Sequence, residues 1–458
     1  MIIKQVYTNC LSQASYYIGS EGDAVIIDPI RDVDVYIETA AAHKTKIRYV
    51  LITHFHADFV SGHLELAKRT GAAIVLGPGA RPQYPALIAN DGECLFIGNC
   101  KIEVRHTPGH TIESVCFLLY GENKQPYALF SGDTLFVGDA GRPDLLSGNL
   151  GAEELAGLLY QSIQSKIRTL SDEVLVYPGH GAGSACGKNL GKETWSTIGE
   201  QKKTNYALRL NKEQFIAAVT TDQPLAPAYF FKDAALNAKG YDLLETVMQR
   251  SLKALSPEEF KKEEEAGAFI LDTRDALEFG KKFVKGSINI GLNGQFAIWA
   301  GTLIEFNHPL ILVTPKGEEK TTLLRLARIG YENSRGYLNV SIKDWEKSGG
   351  ETDAIRTLDS DELPSRKKPV LLDVRNKDEH EKECIPGALH IPLDQLAGRI
   401  TELDKEKCYG IFCAGGYRSM IAASLLKREG FNDLINIKGG ITRIKEQSPQ
   451  LIKISCAI

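Results

Sequence analysis

Four times in the amino-terminal part of the chain, an apolar run that reads as a strand leads into a sharp turn and then a histidine or aspartate. Tyr49-Val50-Leu51-Ile52 leads into Thr53-His54-Phe55-His56-Ala57-Asp58. Ile102 to Val104 leads into Pro108-Gly109-His110, Tyr127 to Phe130 into Ser131-Gly132-Asp133, and Glu173 to Tyr177 into Pro178-Gly179-His180. Gly and Pro let such loops bend sharply into one mouth. Imidazole nitrogen and carboxylate oxygen are ligands of a divalent ion such as zinc or iron. A polar loop capping the helix predicted at Ser61 to Lys68 would explain the first stretch alone, but not four in this order.

The pattern His54-x-His56-x-Asp58, then His110, Asp133 and His180, resembles the metallo-β-lactamase superfamily over about residues 1–235. The resemblance implies an αββα sandwich with metal at one edge of its two sheets. That superfamily's first motif usually continues His-x-His-x-Asp-His. Here the last position is Phe59, which cannot ligate a metal. The departure argues against a two-metal hydrolase and for a single ion held by two His and one carboxylate. Such a facial triad is used by non-haem Fe(II) oxygenases and leaves positions open for O2 and substrate.

Neighbouring segments sharpen the resemblance. Arg142, in Asp139-Ala140-Gly141-Arg142-Pro143-Asp144, either holds an anionic substrate group in bidentate fashion or pairs with a nearby acid. Tyr177 either offers a hydroxyl to substrate or caps the sheet edge. Gly141-Arg142-Pro143-Asp144 and Tyr177-Pro178-Gly179-His180 are similar to segments of persulfide dioxygenases within the same superfamily. That likeness implies one Fe(II) per chain on His54, His110 and Asp133. It also implies substrate contacts from Arg142 and Tyr177, with His56, Asp58 and His180 orienting the ligands or water around the ion. Cys186, among small residues beyond His180, is either a structural thiol or a sulfur-carrying one.

The chain has 458 residues, room for about three domains. A net charge of −4 gives no reason to expect nucleic acid or an anionic membrane as partner. The start, Met1 to Val6, lacks a signal peptide's apolar core, and no stretch approaches a membrane span. Nine cysteines without framework spacing read as reduced thiols in a cytoplasmic protein. Residues 1–30 read as an antiparallel meander, Asp34 to His43 as a helix, and residues 199–222 as one polar amphipathic helix.

The remainder contains a repeat. Leu271-Asp272-Thr273-Arg274 and Gly286 line up with Leu372-Asp373-Val374-Arg375 and Gly387 at one offset, 373 − 272 and 387 − 286 both being 101. Copies of this length are domains, each reading as alternating strands and helices around a parallel sheet. In the second copy, strand Tyr409 to Phe412 and helix Ser419 to Glu429 flank Cys413-Ala414-Gly415-Gly416-Tyr417-Arg418. Gly residues let backbone N–H groups form an anion nest, and the helix start adds its positive end. Both favour the thiolate of Cys413, and Arg418 is read as fixed positive charge in the same pocket. This copy resembles rhodanese, the sulfurtransferase family. That implies persulfide formation on Cys413 within a loop running through Ala414, Gly415, Gly416, Tyr417 and Arg418 to Ser419. The first copy reads Val313-Thr314-Pro315-Lys316-Gly317-Glu318-Glu319 at that place and has no nucleophile.

The fold class expected is α/β multidomain: an αββα domain at 1–245, a degenerate rhodanese-like domain at 256–350 and an active one at 358–458. Whole-chain resemblance is to bacterial persulfide dioxygenase–rhodanese fusion proteins. It implies O2-dependent oxidation of a low-molecular-weight thiol persulfide to sulfite. It also implies sulfur transfer linking persulfide, sulfite and thiosulfate, in a homo-oligomer. The rival readings are a glyoxalase-II-like dinuclear thioester hydrolase and a non-enzymatic sulfur carrier with a structural metal.

Overall fold

The computed structural model describes residues 1–145, 150–223, 226–365 and 369–454. They fall into two compact units, Met1–Val247 with Leu326–Tyr331, and Met248–Arg325 with Glu332–Ile458.

The first unit holds two six-stranded sheets. One runs in chain order: β1 (Ile2–Thr8), β2 (Gln13–Ser20), β3 (Asp23–Ile27), β4 (Lys46–Leu51), β5 (Ala73–Leu76) and β6 (Leu87–Ile88). The first three form the antiparallel meander predicted from sequence, and β3 to β6 are parallel. Parallel neighbours need crossovers, which helices Asp34–Ala42 and His63–Thr70 supply. The other sheet has the order β12 (Ser196–Thr197), β11 (Leu175–Pro178), β10 (Pro126–Gly132), β9 (Val115–Tyr120), β8 (Cys100–His106), β7 (Cys94–Ile97).

Strand alternation explains the layering. On β2, Tyr16 and Ile18 face the core between the sheets while Tyr17 faces the helices. On β9, Phe117 and Leu119 join that inner core, while Cys116 and Leu118 pack outward against Leu159 and Ile163. Each such side chain stabilises the fold by roughly 1.5–3 kcal/mol when buried. The result is the αββα sandwich expected from the resemblance. Backbone bonds from Ala14 to Gly179 (2.8 Å) and from Gly181 to Ser12 (3.0 Å) bring the two sheets together beside His180.

Residues 199–222 are not one helix. They form Ile198–Thr204, Tyr206–Arg209 and Lys212–Thr220. Asn205 and Asn211 break the run, because each side chain accepts a backbone N–H and caps the next helix.

In the second unit the repeat is a repeat of topology. The first copy contributes β13 (Ala254–Leu255), β14 (Phe269–Asp272), β15 (Phe283–Val284), β16 (Ile288–Asn289), β17 (Leu310–Val313), β18 (Ser334–Leu338) and β19 (Thr352–Asp353). The second contributes β20 (Arg356–Asp359), β21 (Val370–Asp373), β22 (Glu383–Cys384), β23 (Leu389–His390), β24 (Tyr409–Phe412), β25 (Leu434–Lys438) and β26 (Lys453–Ile454). Their five-stranded parallel sheets read β13-β18-β17-β14-β16 and β20-β25-β24-β21-β23, the same order twice. Arg274 forks onto Asp272, and Arg375 onto Asp373, in the same way. The cysteines are not all reduced: Cys384 is held in a disulfide. Among the described residues, no helix is long and apolar enough to cross a membrane.

Candidate active sites

The four ligand-bearing loops converge at one edge of the sandwich. His54, His56 and Asp58 lie beyond β4, His110 beyond β8, Asp133 beyond β10 and His180 beyond β11. Because β10 and β11 are parallel neighbours, Asp133 and His180 leave the sheet side by side. Two glycines make the approach possible. Gly132 takes φ +49°, and a Cβ on Gly179 would stand 2.6 Å from Asp133 Oδ1.

Among the described residues three groups of buried donors result: His54, His110 and Asp133; His56, Asp58 and His180; and Asp133, His180 and Cys186. Asp133 links them. Its Oδ2 lies 3.8 Å from His54 Nε2 and 3.5 Å from His110 Nε2, while its Oδ1 lies 3.6 Å from His180 Nε2. His180 Nε2 is also 3.4 Å from Asp58 Oδ2. Among the described residues, several buried atoms here have no hydrogen-bond partner: His54 Nε2, His180 Nε2, Asp58 Oδ1 and both Asp133 oxygens. Burying several such atoms together is costly unless a cation satisfies them. The donors therefore fit a divalent metal ion.

Hydrogen bonds fix which ring nitrogen faces inward. His110 Nδ1 donates to the Arg142 carbonyl (2.8 Å), and His180 Nδ1 to the Ser12 carbonyl (3.2 Å). Thr53 Oγ1 donates to Asp28 Oδ2 (2.8 Å), so it accepts from His54 Nδ1 (3.0 Å). All three rings thereby present a bare Nε2 to the centre. Asp28 is the hub. It takes φ +49°, accepts the Thr53 N–H (2.8 Å), and lies 3.1 Å from His56 Nε2. Burial, then the neighbouring imidazoles, push the His54 pKa well below the usual value. At His56 burial acts the same way, but the charge and hydrogen bond of Asp28, together with the charges of Asp58 and Asp133, outweigh it and the pKa rises. Phe59 is fully buried, its ring 4.4 Å from that of His56.

Three further residues singled out from sequence lie as follows. Arg142 is buried, its guanidinium forked onto Asp144 (2.7 and 2.8 Å) and bonded to the Ala185 carbonyl (3.2 Å). The fork onto Asp144 is the pairing with a nearby acid that the sequence allowed for. Tyr177 is on the inner face of β11, stacked on Phe130 at 5.3 Å rather than capping the edge. Cys186 lies close to Asp133 and His180, within ligand range. Burial, then the charges of Asp58 and Asp133, push its thiol well up.

In the second unit Cys413 directly follows β24 and is buried. The Gly416 N–H donates to its Sγ (3.1 Å), and Ser419 Oγ is 3.6 Å away. Gly416 takes φ +102°, which turns that N–H inward. A Cβ on Gly440 would lie 2.2 Å from the Cys413 carbonyl, so the 439–440 turn abuts the loop. Arg418 forks onto Glu379 (2.6 and 2.7 Å). The cations that line the cavity over the loop are Lys438 and Arg443, which sequence reading did not single out. In the first copy, Pro315 supplies no N–H and the Gly317 N–H is bonded to Glu319, so no comparable nest forms.

A sandwich edge ringed by His and Asp, together with twin parallel-sheet copies of which one carries a Cys loop, defines a metal-site and sulfurtransferase-type architecture. Residues 8–180 match the metallo-beta-lactamase superfamily, and residues 256–348 and 359–447 each match the rhodanese-like domain. The chain belongs to the metallo-beta-lactamase superfamily, with two rhodanese-like domains following. A metallo-beta-lactamase from Staphylococcus aureus subsp. aureus COL is 34% identical with a TM-score of 0.65, covering 74% of this chain and 98% of that one. ETHE1 from Myxococcus xanthus is 30% identical with a TM-score of 0.46, covering 52% of this chain and 98% of that one. Hydroxyacylglutathione hydrolase from Francisella tularensis subsp. novicida is 31% identical over 173 residues, 38% of this chain. The chain spans 64% of that relative's length.

Proposed function

We propose that this chain oxidises a low-molecular-weight thiol persulfide with O2 to sulfite, and that Cys413 passes sulfane sulfur between persulfide, sulfite and thiosulfate. The observation that carries the reading is Phe59. An apolar ring fills the place beside His56 where a further imidazole would complete a second ion's ligands. His54, His110 and Asp133 would hold one Fe(II), which when bound supplies open positions for O2 and substrate.

The chain's own residues do the rest. Thr53 and the Arg142 carbonyl keep Nε2 of His54 and His110 unprotonated and aimed inward. Asp28 anchors Thr53 and His56. His180 and Asp58 face the open side of Asp133 and can orient water or the persulfide there. With its guanidinium on Asp144, Arg142 acts by positioning the His110 loop. Cys413 attacks the outer sulfur of a persulfide, while the Gly416 N–H steadies the sulfur. Coupling the two sites lets sulfite from the first accept sulfur from the second as thiosulfate. Full-length protein purified without oxygen and given a thiol persulfide tests this through O2 uptake and sulfite formation.

A second reading rests on the His56, Asp58 and His180 group, which with Asp133 could hold a second ion. It would make the amino-terminal domain a thioester hydrolase like the curated relative. Two metal ions per chain and hydrolysis of an acylglutathione would favour it.

A further inference from the structure

The first rhodanese-like copy has no nucleophile, yet it lines a cavity beside the Cys413 loop. A cavity of about 410 Å³ lies over the Cys413 loop and is lined from both copies. Gly415 and Gly416 form its floor on the active side, and Asp275 and Asn293 of the first copy line it from the other. The copies are locked together here. The Tyr417 hydroxyl donates to the Gly291 carbonyl (2.8 Å), and the Asn289 N–H donates to the buried Ser424 hydroxyl (3.0 Å). A Cβ on Gly294 would stand 2.4 Å from the Tyr417 ring, so only glycine seats that ring.

Size and charge describe the ligand. A cavity of this volume suits a small organic molecule. A bare sulfite or thiosulfate dianion would leave most of it to water. Among the described residues, three charged ones line it: Lys438 and Arg443 from the active copy, and Asp275 from the inactive one. Two cations alone would suit a dianion, which Asp275 repels. A carboxylate set against two cations suits a molecule carrying both an amine and an acid. Asp275 uses one oxygen to cap the Leu277 N–H (2.9 Å) and remains exposed.

We infer that the inactive copy is the specificity wall of the Cys413 site, with Asp275 selecting an organic persulfide donor that bears an ammonium group as well as a carboxylate. This rests on the reading that Cys413 accepts sulfane sulfur. In the step itself the Cys413 sulfur bonds to the outer sulfur of R–S–SH and the R–S to S bond breaks. The leaving thiolate takes the proton given up by the Cys413 thiol. Thiol and persulfide exchange places, so no oxidant is consumed.

The test compares two donors on the full-length chain, with sulfite as acceptor: cysteine persulfide, and 3-mercaptopropionate persulfide, which lacks only the amine. The wild-type chain is expected to favour cysteine persulfide in kcat/KM, and Asp275→Asn to shrink that preference by about tenfold. Asn still caps the Leu277 N–H, so the loop is retained. Arg443→Gln, which removes a charge aimed at the shared carboxylate, is expected to slow both donors together and keep the preference. A preference absent in wild type, or equal in wild type and Asp275→Asn, overturns the inference while leaving sulfur transfer by Cys413 intact. If neither persulfide nor thiosulfate loads Cys413, the underlying reading falls and the inference with it.

Discussion

Nδ1 of His110 donates to the carbonyl oxygen of Arg142 across 2.8 Å. The Arg142 backbone N–H in turn bonds the Cys186 carbonyl (3.1 Å), and its guanidinium holds Asp144. One residue thus joins a metal-facing imidazole to the loop carrying Cys186. Asp144→Asn breaks the charged fork and is expected to loosen metal binding by roughly 10- to 100-fold. Competition with a chromophoric chelator under anaerobic conditions measures it. Unchanged metal affinity with a raised KM would instead return Arg142 to contact with substrate.

Phe59 is expected to limit the site to about one ion per chain. Phe59→His places an imidazole beside His56, Asp58 and His180 and should raise the metal count toward two. Elemental analysis of both proteins checks this. A wild-type count already near two would favour the hydrolase reading.

Cys413→Ser is expected to abolish sulfur transfer to sulfite, because the remaining hydroxyl is not a thiolate nucleophile. Persulfide-dependent O2 uptake should persist, since the oxidation draws on a different set of residues. Transfer surviving in the variant would point to another thiol, with Cys186 first to be replaced.

His63 gives the amino-terminal unit a pH signature. Burial, then the charges of His56 and Arg31, lower its pKa to about 3. Its Nδ1 is 3.2 Å from the Tyr241 hydroxyl. A depressed histidine stays neutral in the folded chain while the unfolded chain protonates below about pH 6.5. Its stabilising share is therefore present above that value and lost as the pH falls toward the folded pKa. Denaturant titrations should show His63 accounting for about 2 kcal/mol of lost stability between pH 7 and pH 5. His63→Gln should flatten the dependence by that share, and an unchanged slope would contradict it.

The cluster of His and Asp donors was legible because each follows an apolar strand, and strand ends on one side of a sandwich meet at one edge. The repeat was legible because Asp272 and Arg274 recur as Asp373 and Arg375, and both pairs fold into the same fork. The directions of side chains were harder to read. Strand alternation sends Tyr177 inward onto Phe130, although its neighbours in the motif reach the site. Asp28 looks like an ordinary strand-end Asp-Pro pair. Its role depends on a left-handed backbone and on Thr53, neither of which a local pattern carries. Lys438, Arg443 and Asp275 belong to no motif, and only the folded repeat gathers them around the cavity at the Cys413 loop. The Asn205 and Asn211 caps were visible as residues, but the amphipathic run around them masked the breaks.

The most direct measurement is O2 consumption by iron-loaded, anaerobically purified protein on addition of a thiol persulfide, with sulfite measured in the same sample. The expected result is persulfide-dependent uptake with sulfite formed in proportion, lost on His110→Ala or Asp133→Ala. An iron-loaded protein that takes up no O2 with the persulfide, or that instead hydrolyses an acylglutathione, would contradict it.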